Sequence, residues 1–341
     1  MKAVRLHSYD EWPQVEDVDE PTITGPHDVI VRIGGAGLCR TDLHIVEGQW
    51  APKTGVELPY IIGHENAGWV HEVGSAVETV TVGDAVIVHP LVTCGLCRAC
   101  RAGDDMHCER GAFPGIDTDG GYAELLKTNI RALVPLPDGV EPKDVAAHAD
   151  AGLTAYHAVK KAAPTLPPGT RAVIIGAGGL GHIGIQSLRA LTATEIIVVD
   201  RSEEALALAE EWGADRTVLA DGDHVETVLE LTDGFGAEAV LDFVGEGGAL
   251  QEGFAMTRRA GNHYVIGYGG ELSAPAIDLI STERSYIGNL VGTYNDLVEL
   301  MTLQAQGKVT LKTQTYPLDA AVDAMHDLHD GKLRGRGILI P

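Results

Sequence analysis

Four of the five cysteines, Cys94, Cys97, Cys100 and Cys108, stand in the pattern CxxCxxCx7C. Thiolates at that spacing converge from a single loop on the corners of a tetrahedral zinc. Four sulfurs close the coordination shell, so this metal would hold a loop together and leave no position for a substrate. Buried unliganded thiols and an iron–sulfur cluster are the competing uses of such a pattern. Nothing else in the chain points to electron transfer. The opening MKAVRLHSYDEW has neither the apolar core nor the cleavage site of an export signal, so a cytosolic location is expected and metal binding is favoured over disulfides.

A second set of ligands is visible only in part. Cys39 lies in GLCRTDLH and His64 in GHENAGWV, each at the end of a glycine-rich segment where tight backbone brings side chains together. A catalytic zinc takes three protein ligands and keeps a fourth position open. The residues themselves do not choose the third ligand, because His71, His89, Asp84 and many later acids serve equally well.

The third constellation is GAGGLG, in which Gly176, Gly178 and Gly181 form GxGxxG, with Gly179 and Leu180 inside it. Between a strand and a helix, such glycines let the backbone approach a pyrophosphate, and the helix N-terminus offers N–H donors and a positive dipole. The strand EIIVVD ends in Asp200, nineteen residues beyond Gly181. A carboxylate there accepts hydrogen bonds from the adenosine ribose hydroxyls and repels a 2′-phosphate, so NAD is expected. Arg201 beside it keeps NADP open, since a guanidinium pairs with that phosphate; its other role is a solvated side chain beside the adenine.

These groups need elements to position them. DVIVRI from Asp28 and VGDAVIV from Val82 alternate or run apolar between glycine-rich turns, which predicts an irregular β-rich first third. After the connector PTLPPGT the pattern changes to RAVIIGAG, a helix with Leu180, Ile183, Leu188 and Leu191 on one face, EIIVVD, a helical EEALALAEEWGAD, TVLA, AVLDFVG and HYVIG. Repeated βα units of this kind predict an α/β fold with a doubly wound parallel sheet. A tail follows, with a helix over 295–306 and a closing strand GRGILI.

Acidic residues outnumber basic ones 49 to 25, and the formal charge of -24 argues against nucleic acid and anionic membrane surfaces as partners. Few lysines beside the arginines fit an acidic surface adapted to high salt, where screening relieves self-repulsion.

GLCRTDLH, GHENAG, the four-cysteine loop and GAGGLG, in this order, resemble the zinc-containing medium-chain dehydrogenase/reductase family, alcohol dehydrogenase type. The similarity runs along essentially the whole chain. It implies a GroES-like catalytic domain over 1–152 carrying the structural zinc loop, a Rossmann domain over 153–289, and a return of 290–341 to the first. It implies two zincs and NAD in each subunit, and a small alcohol, aldehyde or ketone as substrate. The third catalytic ligand falls on Asp150, before GLTAYHA, where many relatives have cysteine; His148 is its rival, and a helix N-cap is the other use of Asp150. Thiolate, neutral imidazole and carboxylate still total two negative charges against Zn²⁺. Glu65 resembles an auxiliary ligand and Asp42 a carboxylate that orients His64. Thr41 and His44 match a proton relay. Arg40 and Arg336 match cations that reach the cofactor pyrophosphate, with Arg334 a competitor of the latter. Trp50, His89, Pro90 and Leu290 fall at the substrate cleft. Relatives assemble through an edge of the Rossmann sheet, so a homodimer or homotetramer is expected, with HYVIG and ERSYIGNL supplying the edge.

Overall fold

The computed structural model describes residues 1–341 and divides into two compact units. Unit 1 comprises 1–153, 293–305 and 311–341; unit 2 comprises 154–292 and 306–310. The assignment of 306–310 to the second unit has a local cause. The amide of Gln186, on the helix Gly181–Leu191, donates to the Thr310 carbonyl at 2.9 Å and accepts from its N–H at 2.9 Å.

Unit 1 begins with β1 (Lys2–Leu6), β2 (Gln14–Asp17), β3 (Asp28–Gly37), β4 (Tyr60–Ile61), β5 (Glu65–Val73), β6 (Ala85–Val88), β7 (Leu125–Asn129) and β8 (Leu133–Pro135). Unit 2 holds β9 (Arg171–Ile175), β10 (Glu195–Asp200), β11 (Arg216–Leu219), β12 (Ala237–Asp242), β13 (Thr257–Val265) and β14 (Ser285–Gly288). The chain closes in unit 1 with β15 (Thr313–Pro317) and β16 (Arg336–Ile340).

In unit 1, β2-β1-β4 form a small sheet, and a seven-stranded sheet runs β15-β16-β3-β5-β6-β8 with β7 also on β3. Strand β3 is the hub. Its face of Val29, Val31 and Ile33 packs with Val70, Val86 and Leu126, and this core reaches Tyr122. The strand expected from Val82 is confined to Ala85–Val88, because Gly83 takes a positive φ of 99° and Val82 is left 64% exposed in the turn.

Unit 2 is a six-stranded sheet in the order β11-β10-β9-β12-β13-β14, with every pairing parallel. This is the doubly wound order, which opens a crevice at the carboxyl ends of the central strands. Its central strands β9, β10 and β12 are buried on both faces, which explains their continuous apolar runs. The helix after β9 buries Ile183, Ile185 and Leu188, whereas Leu191, placed on that face by its spacing, is 37% exposed at the last turn. No helix of the chain is long and apolar enough to cross a membrane.

Candidate metal centres and dinucleotide site

Cys39 ends the turn after β3 and immediately precedes the helix Arg40–Val46. Its N–H donates to Asp42 Oδ2 at 2.8 Å, so Asp42 caps the helix that starts at its own neighbour. His64 arrives from the other side, one residue before β5. Gly63 makes that approach feasible: its φ is 101°, and a Cβ on it would lie 2.2 Å from the Tyr122 ring. Asp150 directly precedes the helix Ala151–Ala162. Cys39, His64, Glu65 and Asp150 thereby bring one ligand atom each within 4.8 Å of one another. Sequence spacing alone places these residues far apart; the fold closes the set.

The donors around His64 define its electrostatics. Its Nδ1 lies 3.2 Å from Asp42 Oδ1, while its Nε2, buried and without a hydrogen bond, lies 3.5 Å from Asp150 Oδ2. Burial works against a charge on the ring, but Asp42, Asp150 and Cys39 outweigh it and hold its proton affinity well above the ordinary histidine range. Groups that draw a proton this strongly also draw a metal cation. The set matches zinc chemistry: thiolate, imidazole and carboxylate, with an orienting carboxylate on the far ring nitrogen.

Glu65 is fully buried, and its two oxygens are engaged. Oε1 accepts from the Ala151 N–H at 3.0 Å, and Oε2 is ion-paired with Arg336. Burial raises the Glu65 carboxyl above its usual value, an effect that Arg336 opposes. Arg336 is 4% exposed. Burial disfavours its charge, but Glu65 and Cys39 more than compensate. Instead of the open cation that its match implies, Arg336 is here the counter-charge that a buried carboxylate requires.

The other expected site residues fall as follows. Thr41 and His44 lie on the helix that Cys39 precedes, His44 buried and Thr41 half-buried; Arg40 is exposed. His148 is fully buried and turns its Nε2 to Gln304 Oε1 at 3.1 Å, outside the ligand group. His71 and Asp84 lie outside it too, and Asp84 accepts from the Thr81 N–H. His89 and Pro90 are buried beyond β6, and Trp50 packs against the unit 1 core. Leu290 belongs to unit 2 and is 47% exposed. Sequence reasoning missed Tyr122, whose fully buried hydroxyl lies 2.7 Å from Asp42 Oδ2 and donates to it. Burial and the Asp42 charge keep that phenol protonated. No spacing signal marks it, because its partner is 80 residues away.

Cys94, Cys97, Cys100 and Cys108 form the second ligand group of unit 1. The Cys97 and Cys100 sulfurs are 3.4 Å apart, and Cys94 Sγ accepts from the N–H groups of Leu96 and Cys97. Those donors lower the Cys94 thiol to about 6 and so favour its thiolate.

In unit 2, Gly176 has a φ of 89° and Gly181 begins the helix Gly181–Leu191. A Cβ on Gly181 would lie 1.8 Å from the Gly176 carbonyl oxygen, so the turn has no room for a side chain there. Gly178 is exposed, and Gly179 and Leu180 are half-buried. Asp200 closes β10 beside them: Oδ2 accepts from the Ala177 N–H at 2.7 Å and Oδ1 from the Ser202 N–H at 2.8 Å. The carboxylate is held by backbone on both sides, with lone pairs left for a ribose. Arg201 is exposed and donates to the Gly247 carbonyl at 3.1 Å. Gly181→Ala is expected to weaken NADH binding by at least about tenfold, since each 1.4 kcal/mol of strain in the bound conformation is a factor of ten. Calorimetric titration checks this, and a wild-type Kd would show that the turn tolerates the methyl group.

Residues 25–138 match the alcohol dehydrogenase GroES-like domain, and residues 179–306 match the zinc-binding dehydrogenase domain. An NAD-dependent alcohol dehydrogenase of Sulfolobus acidocaldarius is 36% identical over 99% of both chains. The chain belongs to the zinc-containing medium-chain dehydrogenase/reductase family, alcohol dehydrogenase type. An alcohol dehydrogenase structure from Aeropyrum pernix superposes on this family member with a TM-score of 0.97 and 48% identity, over 100% of both chains. A D-arabinose 1-dehydrogenase (NADP(+)) of Saccharolobus solfataricus is 36% identical over 100% of this chain and 97% of its own. The GroES-like and Rossmann folds of this family are the ones described above as units 1 and 2.

Proposed function

We propose that the protein oxidises a primary or secondary alcohol to an aldehyde or ketone, reversibly, with NAD as hydride acceptor and a catalytic zinc on Cys39, His64 and Asp150. The observation that carries this reading is the convergence of Cys39 and His64, both buried, with the half-buried Asp150, and with Asp42 behind the histidine. Zinc held there supplies Lewis-acid polarisation of the alcohol oxygen, lowering its pKa toward roughly 7 as it does for water. NAD supplies the hydride acceptor.

The chain's own residues do the rest. Asp42 fixes the ring of His64, and Tyr122 fixes Asp42. The Thr41 hydroxyl takes the alcohol proton and passes it toward His44, the second member of the relay on the same helix. Glu65 holds the start of the helix behind Asp150 through the Ala151 N–H and is an auxiliary donor for ligand exchange. Arg40, exposed on the helix that follows Cys39, is the cation for the cofactor phosphates, while Arg336 stays with Glu65, and Trp50, His89 and Pro90 shape the substrate side. The second zinc belongs on the four cysteines, where it stabilises the loop.

A second reading has an observation in its favour. The D-arabinose relative together with Arg201 beside Asp200 supports a polyol or sugar substrate with NADP. An alcohol and sugar panel with NAD and NADP, run from dilute buffer to molar salt, separates the two. We expect simple alcohols and NAD to give the higher kcat/KM, and activity to rise with salt if the charge of -24 is an adaptation to it. No turnover of any alcohol, with one zinc per chain, would sink the enzymatic reading. Assembly through the edge strand β14 into a dimer or tetramer, and a cytosolic location, complete the proposal.

A further inference from the structure

Asp242 and His263 in unit 2 are both fully buried and belong to none of the roles above. Asp242 is the last residue of β12, at the carboxyl edge where doubly wound sheets bind ligands. Its Oδ1 accepts from the N–H groups of Val244 at 2.8 Å and Gly245 at 2.9 Å. Its Oδ2 has no hydrogen bond and faces His263 Nε2 at 3.8 Å. Neither nitrogen of His263 has a hydrogen-bond partner. The ring is wedged in place: a Cβ on Gly253 would lie 2.6 Å from it, and Tyr286 stands 5.1 Å away by ring centroids. Buried polar atoms left unpaired are costly, so a native pair in this state needs a reason.

The loop that Asp242 holds supplies one. The Phe243 N–H donates to the Ile175 carbonyl, at the end of the strand that leads into the glycine-rich turn. A Cβ on Gly176 would meet Val244 Cγ2 at 2.7 Å, and one on Gly184 would meet the Phe243 ring at 2.7 Å. Further along, the Gly247 carbonyl accepts from Arg201. Residues 243–248 therefore touch the first glycine of the turn, the helix behind it and the cation beside Asp200.

We propose that Asp242 is a positioning residue for the dinucleotide, holding through Val244 and Gly245 the loop that walls the glycine-rich turn, with His263 steadying its second oxygen. The inference rests on NAD binding by unit 2. A closure of roughly 1 Å brings Asp242 Oδ2 and His263 Nε2 to hydrogen-bond distance, so the unpaired atoms find each other when the wall settles on bound cofactor. Asp242 touches no reacting atom, so its effect belongs in cofactor affinity and not in the chemical step.

NADH titration of the holoenzyme by calorimetry, with hydrogen exchange at the Val244 and Gly245 amides, tests this. Charge-assisted bonds to backbone N–H are roughly twice as strong as neutral ones, so the series should be ordered. Asp242→Asn is expected to weaken NADH about threefold and Asp242→Ala at least tenfold, with faster exchange at both amides. The KM for NAD should rise in step, kcat at saturating NAD should change less than about threefold, and the zinc content should stay at the wild-type value. Should Asp242→Ala not fold, Asp242→Asn carries the test through the same two readouts. Wild-type Kd and wild-type exchange in the folded variants would overturn the assignment, as would a fall in kcat with unchanged KM. Failure of the wild-type protein to bind NADH would instead remove the cofactor reading on which it rests.

Discussion

Asp150→Ala is expected to lower kcat/KM by more than about 100-fold, above the usual cost of altering only the groups behind a metal ligand. The variant should lose one zinc per chain and keep NADH binding. The argument runs through what remains in the cluster. Without Asp150, Cys39 and His64 are two donors where a tetrahedral site needs three. Glu65 cannot simply replace the lost oxygen, because its own oxygens are committed to the Ala151 N–H and to Arg336. His148 is turned away onto Gln304. Asp150→Cys keeps the charge and the donor count, so it should recover most of the zinc and a substantial part of the activity. Metal analysis beside steady-state rates decides the matter: full zinc and full activity in Asp150→Ala would transfer the role to Glu65.

The second large effect is on stability, at the other cluster. Cys100→Ala removes one of four sulfurs from a loop with almost no core of its own. Between 94 and 110 only Cys97 and Asp105 are buried, and Leu96 is 64% exposed. Closed zinc sites contribute about 10–16 kcal/mol of apparent binding energy in small peptides, far more than such a loop gains from packing. Loss of that zinc should melt the loop, open it to protease and lower Tm by roughly 10 °C, as a loss of a few kcal/mol does in a chain of this size. The catalytic cluster should retain its metal. An unchanged Tm with two zincs per chain would mean that three sulfurs suffice or that the cysteines are unliganded thiols.

How much of this was legible in the chain depends on the range over which each signal acts. The four-cysteine loop and GAGGLG are local: all their partners lie within one turn or one strand–helix unit, so spacing carries the geometry. The alternation of buried strands and helices after residue 170 is equally local, and it predicted the parallel sheet. The strand at Val82 was too long by three residues because a glycine at positive φ ends an apolar run that periodicity alone would extend.

The catalytic group behaves differently. Cys39 and His64 were visible as ligand types, and resemblance named Asp150, but no pattern in the residues joins position 39 to position 150. Only the pairing of β3 with β5, and the helix start held by Glu65, brings them within 4.8 Å of one another. The same holds for Tyr122 on Asp42, for Arg336 on Glu65 and for His263 opposite Asp242. Each is a buried polar contact between distant segments, and burial is decided by what the rest of the chain packs around it. By itself, then, the sequence determined the two architectures, the metal loop and the dinucleotide turn, because hydrophobic period and ligand spacing act over a few residues. Tertiary structure alone decided which acids and cations face each other inside, because a buried charge finds its partner through the fold and not along the chain.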